Sequence, residues 1–329
     1  MLTTDSFEPP FFLKNAHLQT ILASSKLRTR GRNAMRDVAR KEIIETAGGI
    51  KLLGYHSTQN NRRARGLVIL LHGWEGSVDS TYLLRCGRSL YRHGYDIFRL
   101  NFRDHGDSHH LNSGIFYAVL LEEVHQAIIQ AAEFARGGPV FMIGFSLGGN
   151  FVLRILEKCV SVPFKNLRHA VSISPVLNPA ESTVQIDRIA FIRKYFLKKW
   201  RRSLSRKQEL FPDLYDFEFV MDLKTIKAVT DALLDKYSDY ETARDYFQAY
   251  SVMGSAIADV NTPATIITAE DDPIIPIKDF YDLKLNEHIQ LVVHPYGGHN
   301  GFITGFKLQS WYENRIIKLF DQICAKMEE

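Results

Sequence analysis

The run Gly144-Phe145-Ser146-Leu147-Gly148 is the part of this sequence best suited to covalent chemistry. An apolar stretch, 139–143, precedes it, and a stretch with helical spacing, 147–160, follows. Strand, sharp turn, helix is the setting in which a serine hydroxyl stands clear of a sheet and acts as a nucleophile. Such a turn strains the serine backbone and admits only small residues two places to either side. It also puts the next N–H groups at a helix start, where they can stabilise an anion. Without its surroundings the same run is an ordinary glycine-rich turn after a strand, so the surroundings decide.

A serine hydroxyl is a poor nucleophile at neutral pH and needs a base. Histidine suits that task because its pKa lies near working pH, and a carboxylate fixes the imidazole tautomer and stabilises the imidazolium. After Ser146 come Asp272, in Ala269-Glu270-Asp271-Asp272-Pro273, and His299, in Gly297-Gly298-His299. Serine, acid, histidine is the chain order that goes with this elbow, and both partners directly follow expected strands. The expected catalytic residues are therefore Ser146, Asp272 and His299. Asp271 competes with Asp272; as a bystander it would be a solvated loop charge. Pro273 fixes the chain after Asp272 and favours that residue. His294 competes with His299, but it ends a strand pattern before Pro295 and reads as a packed or strand-edge side chain. An oxyanion needs two N–H donors. Leu147 supplies one, and Trp74, in His72-Gly73-Trp74-Glu75-Gly76-Ser77, is chosen for the other. The plainer reading of that loop is a glycine turn.

The elements that must hold these groups follow from periodicity. Residues 41–46 and 50–56 alternate about Gly48-Gly49, a hairpin. Short β-type runs at 67–71, 96–101, 140–143, 170–173, 264–269 and 290–293 bring the expected strands to eight. Helical spacing occupies 80–92, 117–136, 147–160 and 277–285, and a last helix is expected over 307–327. The pattern predicts an α/β fold: an eight-stranded, mostly parallel sheet with an antiparallel start and helices on both faces. Function gathers at the carboxyl ends of such strands. Residues 176–261 hold no convincing strand and are rich in aromatic and basic residues. They are expected to form a helical cap insertion on a core of 41–175 and 262–329, with 1–40 an arm packed on that core.

Composition sets the bounds. With 329 residues, 45% of them apolar and 24% charged, the chain can bury a large core. A net charge of +4 is too mild to indicate nucleic-acid binding. No uncharged stretch is long enough to span a bilayer, and residues 1–14 carry acids and prolines ahead of any basic residue, unlike a secretory signal. Cys86, Cys159 and Cys324 are far apart and read as free, buried thiols in a reducing, cytoplasmic setting.

Together these residues make the chain similar to the α/β-hydrolase superfamily, in particular its YheT-like branch, which includes abhydrolase-domain lipases. The resemblance is carried by Asn15-Ala16-His17-Leu18-Gln19-Thr20, His72-Gly73-Trp74-Glu75-Gly76, Asn101-Phe102-Arg103, the elbow through Asn150, Asp271-Asp272-Pro273 and Gly297-Gly298-His299. It implies hydrolysis of acyl esters with Ser146, Asp272 and His299 as triad. Two positions depart from the pattern: Asp104 stands where glycine is common, and Asn300 where an apolar residue is frequent.

Other signals are weaker. The run 104–110 contains metal-ligand side-chain types but no helical pairing; it reads as a hydrogen-bonded loop bracing the sheet edge, and no metal site is assigned. No glycine fingerprint follows a strand, so no dinucleotide site is assigned. His17 reads as a structural hydrogen-bonding residue. Residues 193–207 carry eight basic side chains and no acid, with Phe191, Tyr195, Phe196 and Trp200 interleaved. They read as a solvated cap-helix face over an aromatic stripe. The sharper alternative is an interfacial helix that, with Pro9-Pro10-Phe11-Phe12-Leu13, makes peripheral contact with anionic lipid. The expected function is a serine hydrolase of small-molecule or lipid esters, working through an acyl-enzyme without a cofactor. Cap and arm would shape an apolar acyl pocket. The alternatives are a non-catalytic binding or scaffold protein on the same fold, and an acyltransferase or thioesterase using the same triad.

Overall fold

A computed structural model describes residues 7–59, 63–164 and 166–328; residues 1–6 of the expected arm lie outside them. Eight strands form one sheet: β1 Arg40–Glu45, β2 Lys51–Ser57, β3 Leu67–Leu71, β4 Asp96–Leu100, β5 Val140–Phe145, β6 Leu167–Ile173, β7 Ala264–Ala269 and β8 Ile289–His294. Their order is β1-β2-β4-β3-β5-β6-β7-β8. β1 and β2 pair antiparallel, β2 joins β4 antiparallel, and every later neighbour is parallel. The expected eight-stranded, mostly parallel sheet with an antiparallel start is the sheet observed.

The helices among the described residues are α1 Ala16–Ser24, α2 Ala34–Asp37, α3 Thr81–Arg92, α4 Leu121–Ala132, α5 Leu147–Ser161, α6 Pro179–Arg188, α7 Ala190–Leu210, α8 Glu218–Met221, α9 Ile226–Tyr237, α10 Ala243–Ala249, α11 Ile277–Tyr281 and α12 Trp311–Glu328. Strand side chains alternate between two cores, as the pleat requires. Leu67, Ile69 and Leu71 of β3 join the core closed by α4 and α5, through Val124, Ile128 and Phe151. Val68 and Leu70 join the core closed by α3 and α12, through Leu83, Leu90 and Phe320. Both faces are covered, which is why these strands read as continuous apolar runs.

Three helices are shorter than expected, for local reasons. Helix α11 stops at Tyr281, where Leu283 N donates to Phe280 O and Lys284 N to Gly254 O. The segment before α4 turns at residues 117–120, where Leu120 N donates to Tyr117 O. The segment before α12 closes on itself: Ile303 bridges Ser310, and Thr304 N donates to Gln309 O.

Helices α6–α10 lie between β6 and β7, where no strand was expected. Leu197, Leu204, Val229 and Leu233 of this layer are buried in the same core as α4 and α5. The basic run does not form one solvated face. Lys207 is 1% exposed, with its Nζ 2.7 Å from Asp104 Oδ1 and also donating to Asn112 O at 2.7 Å and His109 O at 3.3 Å. Asp104 has φ 56, a left-handed conformation glycine takes freely, so its retention against the related pattern goes with this pairing. Its Oδ2 accepts from Phe116 N at 3.0 Å. Burial holds the Asp104 carboxyl up at about 6 despite the lysine.

Lys207→Met strands that carboxylate, and the expected cost is about 3 kcal/mol at neutral pH. The deficit shrinks as pH falls, because protonation relieves a buried acid whose folded pKa lies above its unfolded value. Adding Asp104→Asn restores most of the loss. Urea unfolding of the three proteins at two pH values checks it.

Candidate active site

Ser146 sits between β5 and α5 with φ 54 and ψ −118. A non-glycine residue held there costs about 1–3 kcal/mol, so its neighbours must impose the geometry. They do so through the backbone: Ser146 N donates to Ile173 O at 2.9 Å, and Ser146 O accepts from Asn150 N at 3.0 Å. A Cβ at position 144 would fall 2.2 Å from Gly148 O, and one at position 148 would fall 2.5 Å from both Leu71 O and His72 O. Both glycines are required because backbones touch at those points.

The structure brings the three separated residues together. His299 Nε2 lies 2.9 Å from Ser146 Oγ, and His299 Nδ1 lies 2.9 Å from Asp272 Oδ2. The buried Asp272 accepts from Ile274 N and Ile275 N through Oδ1, at 2.8 and 3.0 Å. One oxygen is thus fixed by the backbone while the other faces the imidazole. Proton loss from Nδ1 is disfavoured there, which leaves Nε2 to receive the serine proton.

Competing residues fall elsewhere. His294 is buried against Trp311, accepts from Phe7 N at 3.2 Å, and is pushed down to about 4 by burial. It is a packed histidine, as expected. Asp271 is not a solvated loop charge: it is partly buried, accepts from Gly298 N at 2.8 Å, and burial raises its carboxyl to about 6. It braces the histidine loop. His17 also differs from expectation. It is exposed and meets the ring of Phe191 edge-on at 5.4 Å. The structural polar residues of α1 are Gln19, which binds Leu13 O and both the N–H and the carbonyl of Ile303, and Thr20, whose Oγ1 accepts from His299 N at 2.9 Å. The N-terminal segment therefore buttresses the histidine.

Leu147 opens α5, and Trp74 follows β3 in a loop pressed on the elbow: a Cβ at Gly73 would come 3.1 Å from Ser146 Cβ. Among the described residues the N–H groups of Trp74 and Leu147 have no hydrogen-bond partner, while the backbone on either side of Trp74 is engaged. Gly73 N donates to Tyr82 Oη at 3.0 Å. His72 Nε2 accepts from Phe102 N at 3.2 Å, so its Nδ1 carries the proton and donates to Gly73 O at 2.8 Å. His105 repeats the arrangement, accepting from Glu75 N at 3.2 Å and donating to Arg103 O at 2.7 Å. Lys199 of α7 donates to Glu75 O, and the Trp74 ring stacks on Phe196 at 5.2 Å and meets Trp200 edge-on at 5.0 Å. Both histidines must be neutral for these bonds. Burial keeps them so, lowering His72 to about 4 and His105 well below its ordinary value.

A pocket enclosing about 1010 Å³ of empty space, its open mouth included, begins at Trp74 and Leu147. Its walls are largely apolar, with Val176, Ile186, Leu233 and Phe247 among them. Residues 176–261 supply most of the lining; residues 7–40 supply none of it. Lys207 and Asp104 also reach the wall, but each is occupied by the other.

The family model for the alpha/beta hydrolase family matches residues 68–305. The chain belongs to that family. Among its relatives is an abhydrolase domain-containing protein of Dictyostelium discoideum, 26% identical over 95% of this chain and 80% of its own length. The human protein named phospholipase ABHD3 is 25% identical over 87% of this chain and 72% of its own. YheT of Escherichia coli K12, provisionally named an esterase, is 23% identical over 94% and 91%. Among solved structures, the Pyrococcus furiosus esterase Pf2001 superposes with a TM-score of 0.58 at 17% identity, covering 89% of this chain and 95% of that one. That likeness speaks for the α/β-hydrolase fold.

Sequence reading named His72 and Lys199 without these roles, put His105 in a hydrogen-bonded loop bracing the sheet edge, as observed, and overlooked Tyr82; their contacts hold the loop of Trp74. The only sequence signal was His72 and His105 each following a strand. No helix among the described residues is long and apolar enough to cross a membrane. The three cysteines are free and buried, as expected.

His56, His109 and His169 are also depressed to about 4 by burial. A histidine whose folded pKa is lowered adds stability above its unfolded pKa, and that stability drains as pH falls through the window down to the folded value. The raised carboxyls of Glu75, Asp104, Asp271 and Asp279 act the other way, but the histidines outnumber them, so unfolding free energy should fall below pH ~6.5, by more than about 1 kcal/mol per pH unit on the way to about 4. Urea midpoints across this range test it; a flat profile would contradict the neutral assignments.

Proposed function

We propose that the chain is a serine hydrolase of carboxylic esters. The observation that carries this reading is the pair of 2.9 Å contacts linking Ser146, His299 and Asp272 at a strained elbow. Ser146 Oγ attacks the acyl carbonyl as its proton passes to His299 Nε2. The carbonyl π pair moves to oxygen, and the free N–H groups of Trp74 and Leu147 receive the oxyanion. Collapse expels the alkoxide, which takes the proton from His299 and leaves an acyl-Ser146. Water, losing a proton to His299, adds to that ester; its collapse returns the proton to Ser146 and releases the acid.

The apolar pocket beside the oxyanion donors supports an acyl chain as its occupant, since burying hydrocarbon there is favourable by about 0.8 kcal/mol per methylene. Relatives named esterase, phospholipase and lipase support an ester as the bond cleaved and a lipid-like substrate as the class. The cap segment, residues 176–261, is proposed to form the roof of that acyl pocket.

A fluorophosphonate probe should label the wild-type chain and not Ser146→Ala. A folded wild-type chain that stays unlabelled would favour a binding or scaffold role instead. Asp272→Asn should lower kcat by about 10⁴, whereas Asp271→Asn, which only loosens the loop, should cost less than about tenfold. Across a panel of p-nitrophenyl esters, kcat/KM should rise with acyl length until the pocket is filled. Preference for acetate over every longer chain would argue against an acyl pocket.

A further inference from the structure

We propose that the chain docks on anionic phospholipid membranes through an aromatic and basic face formed by the N-terminal turn, α1, α7 and the loop before α12. The face is assembled from three separated segments. Phe11 and Phe12 belong to the turn before α1, and Phe306 to the loop before α12; Phe11 is 90% exposed and Phe306 88% exposed. Phe12 and Phe306 stack at 4.9 Å. On α1, His17 and Ile21 stand one turn apart on the exposed side, and His17 meets Phe191 at the start of α7. Ring contacts thus join all three segments into a single patch.

An apolar face of this kind on a water-exposed chain marks an interaction surface, and its charge names the partner. The structure sorts the basic run of α7 by helix phase. Lys199 and Lys207 turn inward to Glu75 O and Asp104, and Arg193 to Asp187 O. Lys194, Lys198 and Arg202 remain exposed along the side that also carries Phe191 and Tyr195. That side bears no carboxylate before Glu209. Lys307 adds a further exposed cation beside Phe306. Aromatic rings with a flank of lysine and arginine match the interface of an anionic bilayer, where rings sit at headgroup level and cations meet the surface potential. Location supports the same occupant. Gln19 and Thr20 of the same helix hold the loop that carries His299, so this face lies one helix away from the histidine of the proposed reaction. The proposal rests on the hydrolase reading only for that last point.

The test uses the full chain and co-sedimentation with vesicles of phosphatidylcholine alone or mixed with phosphatidylserine. Binding is expected to the mixed vesicles at low salt, to be largely lost at high salt, and to be weak on phosphatidylcholine alone. Phe11→Ser with Phe306→Ser, and separately Lys194→Glu with Lys198→Glu, should each lower partitioning at least about tenfold. Both should leave hydrolysis of soluble p-nitrophenyl butyrate unchanged. No sedimentation with the mixed vesicles at low salt overturns the proposal, as does undiminished binding of both double variants. A stable dimer that buries Phe11 and Phe306 also overturns it, assigning the face to a second copy. Vesicle binding without any hydrolysis of the soluble ester leaves docking standing and removes the hydrolase reading.

Discussion

Every group that matters at this site is placed by one unfavourable backbone conformation. Ser146 can hold φ 54 only because β5, β6 and α5 leave its peptide no other hydrogen-bonding arrangement. The demand propagates outward. Gly148 must let α5 touch the end of β3, and Gly149 must clear Ser172 and Pro175 beyond β6, so three adjacent parallel strands are fixed in depth by contacts at one turn. A parallel order with β5 at its centre then delivers the ends of β3, β7 and β8 to the same rim, which brings Trp74, Asp272 and His299 within reach of one hydroxyl.

Around that turn the buried polar groups are held by two different means. The Trp74 loop is positioned by neutral histidines, each donating from one ring nitrogen and accepting at the other. Neutrality suits the place, since burial makes an imidazolium there costly. Farther out, ion pairs take over: Arg103 with Glu123 of α4, and Asp104 with Lys207 of α7. A buried pair adds little net stability but penalises any arrangement that separates its members. It therefore fixes where α7 sits more than how firmly the chain folds.

The strands were legible in the sequence because both faces of the sheet are covered and their residues run apolar without interruption. The meeting of Ser146, Asp272 and His299 was legible because a glycine-flanked serine, an acid and a histidine each followed such a run in the required order. What escaped were roles set by three-dimensional phase. Asp271 and Asp272 are neighbours with the same chemistry; only the turn at Pro273 decides that one faces the imidazole and the other the Gly298 amide. His17 and Gln19 are two places apart on one helix, and which of them braces the fold depends on which side of α1 meets the histidine loop. The buttressing bond from Thr20 spans 279 positions in sequence, a separation no local pattern reports.

Helix α7 shows how far phase can redistribute one composition. Fifteen residues with eight cations look uniform when written in a line, but a period of 3.6 divides them. Lys199, Phe196 and Trp200 turn to the Trp74 loop, and Lys207 to Asp104, while Lys194, Lys198 and Arg202 look outward. A rigid helix cannot shift one side without the other. Swinging α7 away from the pocket would unstack Trp74, free Glu75 O and separate a buried ion pair, so the layer over this pocket cannot open as an independent lid. Access must come from smaller movements that leave the Trp74 stack and the Lys207–Asp104 pair intact.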